Sequence, residues 1–332
     1  MHPTTPMTLS RRRLALGLGG LALFGRSALA QSFPSKPITL IVPYPAGGPS
    51  DFVARKVQAD LARALGQPVV IENLGGVAGA LGVQKMLSAP ADGHTITLGS
   101  PLELVIAPIT LAAVKYKPQD VQMAAQLVRA PLVLLARKDL PANTLEELVA
   151  LARKSDKPLT MANVGHGSLF HLVGEKLTQL SGAKFLHVPY KGGAPIISDM
   201  MGGQIDLGFG TFAGPVPSMV ASGKIKAIGL TTRTPVPGFT QLTPLAGLPG
   251  MQELEFNSWA GLQVPRGTPE AVLQKINQAA QEALRNPETR KAFEESGNQI
   301  TPPTSVIDTD RSYQAEIARY QAIARAINLQ PQ

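Results

Sequence analysis

Two loops of this chain hold the residues best suited to gripping a small molecule. Tyr44-Pro45-Ala46-Gly47-Gly48-Pro49-Ser50-Asp51 follows the β-branched run Ile38-Thr39-Leu40-Ile41-Val42. It precedes a helical stripe of Val53, Val57, Leu61 and Leu65. Gly165-His166-Gly167-Ser168 follows Leu159–Ala162 and precedes Leu169, Leu172, Val173 and Leu180. Glycines there let a ligand approach the backbone, and the helix that follows presents unsatisfied N–H groups with a partial positive charge. Facing each other, such loops hold an anion without an arginine. The same glycines also suit a plain strand-to-helix turn, and Ser50, Asp51 and Ser168 each also suit an N-cap role. The candidate ligand contacts are Tyr44, Ala46, Gly47, Gly48, Ser50, Asp51, Gly165, His166, Gly167 and Ser168. Tyr190, Lys191 and Gly192, which follow the run Phe185–Val188, and Asp206 in Ile205–Phe209 join the set.

Other chemistry finds little purchase. The 332 residues include no cysteine, which removes disulfides, thiolate catalysis and cysteine metal sites. His166 and His171 are five apart and miss the i, i+4 spacing of two ligands on one helical face, so no metal site is expected. His94 and His187 lie beside strand runs and read as packing residues. Gly165-His166-Gly167-Ser168-Leu169 sets its serine one place late for a nucleophile elbow. No dinucleotide or phosphate-loop fingerprint occurs, so no cofactor is expected. The alternative to a binding protein is a hydrolase or transferase that uses Ser168 with a histidine such as His171. Basic residues are scattered without interleaved aromatics, which disfavours nucleic acid.

The elements that must position these loops follow from the pattern. Strand and helix signals alternate from Ile38, predicting α/β lobes with parallel sheets and right-handed crossovers. Val69–Ile71, Thr95–Leu98, Leu132–Ala136 and Ile225–Leu230 read as further strands. Thr144 with Glu147 reads as a capping box heading helix 145–154, and Thr268-Pro269 and Asn286-Pro287 read as helix starts. Tyr313, Ile317, Tyr320, Ala324 and Ile327 form the stripe of a last helix. A Pro-rich stretch, 235–249, reads as a connection between lobes. The organisation expected is 1–30 as an export segment, 31–130 as lobe one, 131–250 as an inserted lobe two and 251–332 returning to lobe one. The export reading rests on Arg11-Arg12-Arg13, the apolar run 14–24 and Ala28-Leu29-Ala30, an order that a signal peptidase reads. Four of the 31 basic residues and none of the acids fall in that segment, so the net charge of +8 drops to +4 beyond it.

Five stretches carry a resemblance: Pro37–Arg55, Ala91–Thr95, Gly165–Leu172, His187–Gly193 and Trp259–Pro269. In this order they resemble the Bug family, periplasmic solute receptors of tripartite tricarboxylate transporters. The resemblance implies a type II periplasmic binding-protein fold with an interlobe cleft. It implies capture of a small carboxylate or related polar metabolite by loops 44–51 and 165–168, and delivery to a membrane permease. The chain is expected to be a periplasmic monomer, exported by a twin-arginine-like or Sec signal, with transport and sensing as alternative uses of one cleft. Glu72-Asn73-Leu74-Gly75-Gly76 and Val105-Ile106-Ala107-Pro108 depart from the family runs. The latter is expected on a cleft-side loop with Ser100 and Glu103, two more candidate contacts. An acidic Glu103 beside an anion site predicts a ligand whose far end is neutral, hydrogen-bond-donating or cationic. The alternative is a Glu103 turned to solvent beside Lys115 or Lys117.

Overall fold

The computed structural model describes residues 33–190, 193–326, 329 and 331. The export segment, Lys191, Gly192 and Ile327 lie outside the described residues. In chain order the elements are β1 (Ile38–Val42), α1 (Pro49–Leu65), β2 (Val69–Asn73), α2 (Ala80–Leu87), β3 (Thr95–Gly99), α3 (Ala107–Thr110) and β4 (Val121–Arg137). Then come α4 (Leu145–Lys154), β5 (Leu159–Asn163), α5 (Leu169–Ser181), β6 (Phe185–Pro189), α6 (Gly193–Met201), β7 (Leu207–Thr211), α7 (Val216–Ala221) and β8 (Ile225–Leu230). The return segment holds β9 (Asn257–Pro265), α8 (Glu270–Arg285), α9 (Pro287–Glu295), β10 (Gln299–Ile300) and α10 (Val306–Ala326).

The strand order is β2-β1-β3-β9-β4-β7-β5-β6, with β10 and β8 also on β4. The sheet is mixed. β1, β2 and β3 are parallel, as are β5, β6 and β7, whereas β4, β8, β9 and β10 pair antiparallel. β4 is the element that sequence reading cut short: it begins at Val121, not Leu132. Its first part pairs with β9 from Val121↔Pro265 to Pro131↔Asn257, and its last part pairs with β7 and β8. The change of partner falls at Pro131, which has no N–H to give a ladder. Thr231, fully buried, fastens the crossing: its hydroxyl accepts from the Leu132 N–H at 3.1 Å and bonds the Leu132 and Phe256 carbonyls. The stretch 235–249 lies between β8 and β9. It packs back on β8 through Leu230 N–H to Thr243 O and Ala246 N–H to Thr232 O, and the return to β9 comes at Phe256.

Local signals explain most helix ends. Val53, Val57, Leu61 and Leu65 are all buried on one face of α1, which stops at the left-handed Gly66. Thr144 accepts from Glu147 N–H at the start of α4, and Asn286 caps α9. Thr268 does not cap α8. Its hydroxyl donates backwards to Pro265 O, so the helix begins behind Pro269 without a side-chain cap. The stripe of α10 is buried at Tyr313, Ile317, Tyr320 and Ala324. One apolar cluster runs through both lobes, from Ile41, Leu104 and Tyr116 to Leu132, Leu172 and Phe209.

Candidate functional site

The sheet topology decides where the loops go. β3 and β4 both run antiparallel to β9, so β3 points along β4; β7 runs against β4, and β5 runs with β7. The carboxyl ends of β1–β3 therefore aim towards lobe two, and those of β5–β7 aim back towards lobe one. The two sets face each other across the crossing. Gly99 lies in register with Gly261 and hence Gln126, while Thr211 lies opposite Leu132. Six residues of β4 separate the rows, roughly 20 Å at the usual strand rise. Ligands of α/β sheets bind beyond strand carboxyl ends, and here the carboxyl ends of both sets point towards each other. Two cavities of about 350 and 50 Å³ lie elsewhere, around Gln126, Thr301 and Thr309, and no residue of loops 44–51 or 165–168 lines them.

In the first loop, Ala46 and Gly47 are exposed and Ser50 is half-buried. Pro49 occupies the first helical turn, which moves the N-cap back to Gly48 and leaves neither Ser50 nor Asp51 as the cap. Asp51 is instead a buried clasp. Its carboxylate accepts from Gly47 N–H at 2.8 Å, Arg55 Nε at 2.8 Å and Asn73 Nδ2 at 3.0 Å, and Asn73 also donates to Tyr44 O at 3.1 Å. The Arg55 bond, with those of Gly47 and Asn73, holds the Asp51 carboxyl below its ordinary range against burial. Asn73 thus joins β2 to the loop, a role that its family-divergent run concealed.

Glu103 overturns both sequence expectations. It reaches neither the cleft surface nor solvent but is fully buried. Tyr44 Oη donates to Glu103 Oε2 at 2.8 Å, Ser100 Oγ donates to the same oxygen at 2.7 Å, and Ser100 N–H bonds Oε1. Tyr116 Oη donates to the Glu103 carbonyl. Burial pushes the carboxyl up to about 7, against donors from Ser100 and Tyr44 that favour its charged form. A Cβ on Gly79 would lie 2.8 Å from Glu103 Cβ and 3.2 Å from Tyr44 Oη, so the turn after β2 closes over the pair only as glycine. Residues 102–106 form a turn of π-type bonding, with Ala107 N–H bonded to Leu102 O, and Val105-Ile106-Ala107 is buried rather than on an open loop.

In the second loop, Ser168 caps α5 by accepting from His171 N–H at 3.4 Å, and Asn163 Oδ1 accepts from Gly165 N–H at 2.9 Å. His166 is exposed, and Gly167 is buried at φ +75°. A Cβ on Gly167 would sit 2.7 Å from Thr110 Cβ, which places this loop against α3 of lobe one. Gly167 N–H donates to His171 Nδ1 at 3.1 Å, leaving the ring without a hydrogen bond to Ser168 Oγ. Tyr190 is half-buried, with its hydroxyl given to Asp199 at 2.7 Å. Asp206 stands at the wrong end of its strand. It precedes β7 and takes Arg137 Nε, Thr160 N–H and Thr160 Oγ1, whereas the loop leaves β5 after Asn163. Sequence reading also missed Glu175, one helical turn beyond His171, and its meeting with His187 of β6. Ligand-type atoms of the three lie within 4.8 Å of one another.

Two lobes joined by an antiparallel crossing, with a glycine loop and a helix start at facing strand ends, fit the architecture of a solute-binding receptor. The family described as "tripartite tricarboxylate transporter family receptor" matches residues 53–329. An Agrobacterium vitis protein encoded in the ttuE-ttuC' intergenic region is 32% identical over 298 residues, 87% of this chain and 83% of its own. The periplasmic binding protein BugD is 28% identical with a TM-score of 0.77, covering 90% of this chain and 100% of its own. MatC (Rpa3494) from Rhodopseudomonas palustris, solved with bound malate, is 30% identical with a TM-score of 0.76 over 88% of this chain and 99% of its own. R. palustris Rpa4515, solved with adipate, is 29% identical with a TM-score of 0.79 over 90% and 100%. The chain belongs to the tripartite tricarboxylate transporter receptor family, and it is a solute-binding receptor rather than an enzyme.

Proposed function

We propose that the chain captures a small carboxylate in the gap between loops 44–51 and 165–168, and that a dicarboxylate is the leading class. The observation that carries this is the facing of two helix starts, α1 and α5, across the β4 crossing, each preceded by a glycine loop. Similarity to MatC with malate and Rpa4515 with adipate supports the class. A second carboxylate would be repelled only by a Glu103 that reached the cleft, and that residue is sealed beneath Tyr44. Ser168 is both cap and ligand donor in this reading, with Ser50 and the amides of both loops completing the contacts. Lys191 and Gly192, which lie outside the described residues, remain assigned to the same cleft.

The receptor is a periplasmic monomer, carried out by the segment 1–30 and handing its solute to membrane permease subunits. Lobe two spans 131–250, inserted into lobe one, and the two crossings act as the hinge. Mass spectrometry of small molecules carried through purification tests the ligand class. The expected result is a carboxylic acid that is recovered unchanged after incubation; a consumed or modified solute would return the Ser168 enzyme reading. Solution scattering with saturating malate or adipate should show a smaller radius of gyration.

A further inference from the structure

The second loop is anchored from behind by an imidazole. His171 is buried, and its Nδ1 accepts the Gly167 N–H at 3.1 Å. A neutral imidazole has one bare and one protonated nitrogen, so this bond places the ring proton on Nε2. Nε2 faces Glu175 Oε1 at 3.5 Å, and His187 Nε2 lies 3.4 Å from the same oxygen. Both ring nitrogens of His187 are buried without a hydrogen-bond partner. Gly174 makes room for that ring: a Cβ there would be 2.7 Å from His187 Cε1. The His171 ring lies between its neighbours, tilted against His166 at a centroid distance of 4.4 Å and edge-to-face with His187 at 4.8 Å.

Two readings fit a His–Glu–His group. As a metal site, its two histidine-to-carboxylate spacings, 3.5 and 3.4 Å, come near the edge of a zinc tetrahedron, about 3.3 Å for bonds of about 2.0 Å. A histidine bound to metal through Nε2 keeps its proton on Nδ1. Here Nδ1–H would then confront the Gly167 N–H, donor against donor at 3.1 Å. The geometry therefore favours the metal-free alternative. We propose that His171 is a positioning residue for the cleft: its Nε2–H tautomer, kept by Glu175 and His187, holds the Gly167 amide and so sets the shape of loop 165–168. A second proton on the ring breaks that hold, and affinity for the solute falls with it. The inference rests on the reading of loop 165–168 as a ligand loop.

The charged and titratable groups around the ring are few. His166 lies on the loop itself, Glu175 on α5 and His187 on β6; β5 and β7 bring none. The turn Gln252–Leu254 brings Glu253, which is already paired with Lys176 at 2.9 Å. Burial pushes His171 down to about 4, with the charges of His187 and His166 in the same direction. The ring thus stays neutral at neutral pH and takes its second proton only in acid.

The purified chain is tested by nitrogen-15 spectra of the imidazoles and the Gly167 amide, with pH lowered in steps from about 7.5 to about 3 so that the His171 midpoint is crossed. The expected result is a bare Nδ1 on His171 at neutral pH and a Gly167 amide that shifts with the His171 midpoint. Calorimetry with malate and adipate adds the functional arm. His171→Leu should weaken binding about tenfold, one hydrogen bond's worth. His171→Asn offers an acceptor near the Nδ1 position, so it should recover most of that loss and flatten the acid-side fall. An Nδ1–H tautomer, an amide indifferent to the titration, or a Leu variant that binds like wild type would overturn the proposal. So would zinc chloride raising the Tm of wild type but not of His187→Ala, which would make the group a metal site. If wild type binds neither acid, the ligand class is wrong, and the spectra alone decide the anchor.

Discussion

Tyr44 and Glu103, 59 positions apart, meet in a 2.8 Å hydrogen bond that ties the end of β1 to the turn after β3. With Gly79 packed over both, three loops of lobe one converge on one buried carboxylate. Loop 44–51 is thus built on a fully buried carboxylate.

That carboxylate sets a pH dependence. Its folded pKa, up to about 7, is raised by burial above the ordinary carboxylate value. The stability it contributes is therefore complete below about pH 4.5 and is lost as pH rises through 7, by at most about 3 kcal/mol. Glu103→Gln imitates the neutral form. Its unfolding free energy, measured by urea denaturation across this window, should fall less with pH than that of wild type.

Asp51 should behave in the opposite sense. Its pKa is lowered, chiefly by Arg55, so its contribution is present above the ordinary carboxylate range and is lost as pH falls through the folded value. Asp51→Ala strands Gly47 N–H and Asn73, and a loss of about 1–3 kcal/mol at neutral pH is expected by denaturant titration.

Ser168→Ala separates cap from contact. The lost cap should cost about 1 kcal/mol of stability. A lost bond to a charged ligand group should cost a further 1.5–3 kcal/mol or so of affinity in calorimetry. Lower stability with unchanged affinity would reduce Ser168 to a cap.

Gly167→Ala carries two penalties at one position: a positive φ and a Cβ 2.7 Å from Thr110. A lower Tm together with weaker solute binding is expected, since the loop must leave α3 to make room. Thr110→Ala should relieve only part of the defect, because it removes the Cγ2 contact at 2.7 Å but leaves the Cβ contact at 2.7 Å and the positive φ.

Local patterns made the lobes and both loops legible in sequence. The α1 stripe, the Gly66 stop, the Ser168 cap and the Asn286 cap each need only a few neighbouring residues. What escaped depends on distant partners. The first part of β4 lacks a clear strand signal because its pairing with β9 joins residues more than a hundred positions apart. Glu103 was misread because its partners lie on three turns. Glu175 gives an i, i+4 pair with His171, a signal present in the sequence; only His187 required the fold. Asp206 went astray for another reason: its place at the start of the run Ile205–Phe209 already set it at the amino end of a strand parallel to β5, away from the loops.

The central claim is that a small carboxylate binds in the gap between the lobes, and thermal unfolding against malate, adipate and a matched monocarboxylate tests it most directly. At a hundred times its dissociation constant a true ligand adds about 2.7 kcal/mol of stability. The account predicts that at least one dicarboxylate does so, with a smaller gain for Ser168→Ala. Equal Tm values for the wild type with and without each acid, alongside a clear rise with an uncharged solute, would contradict it.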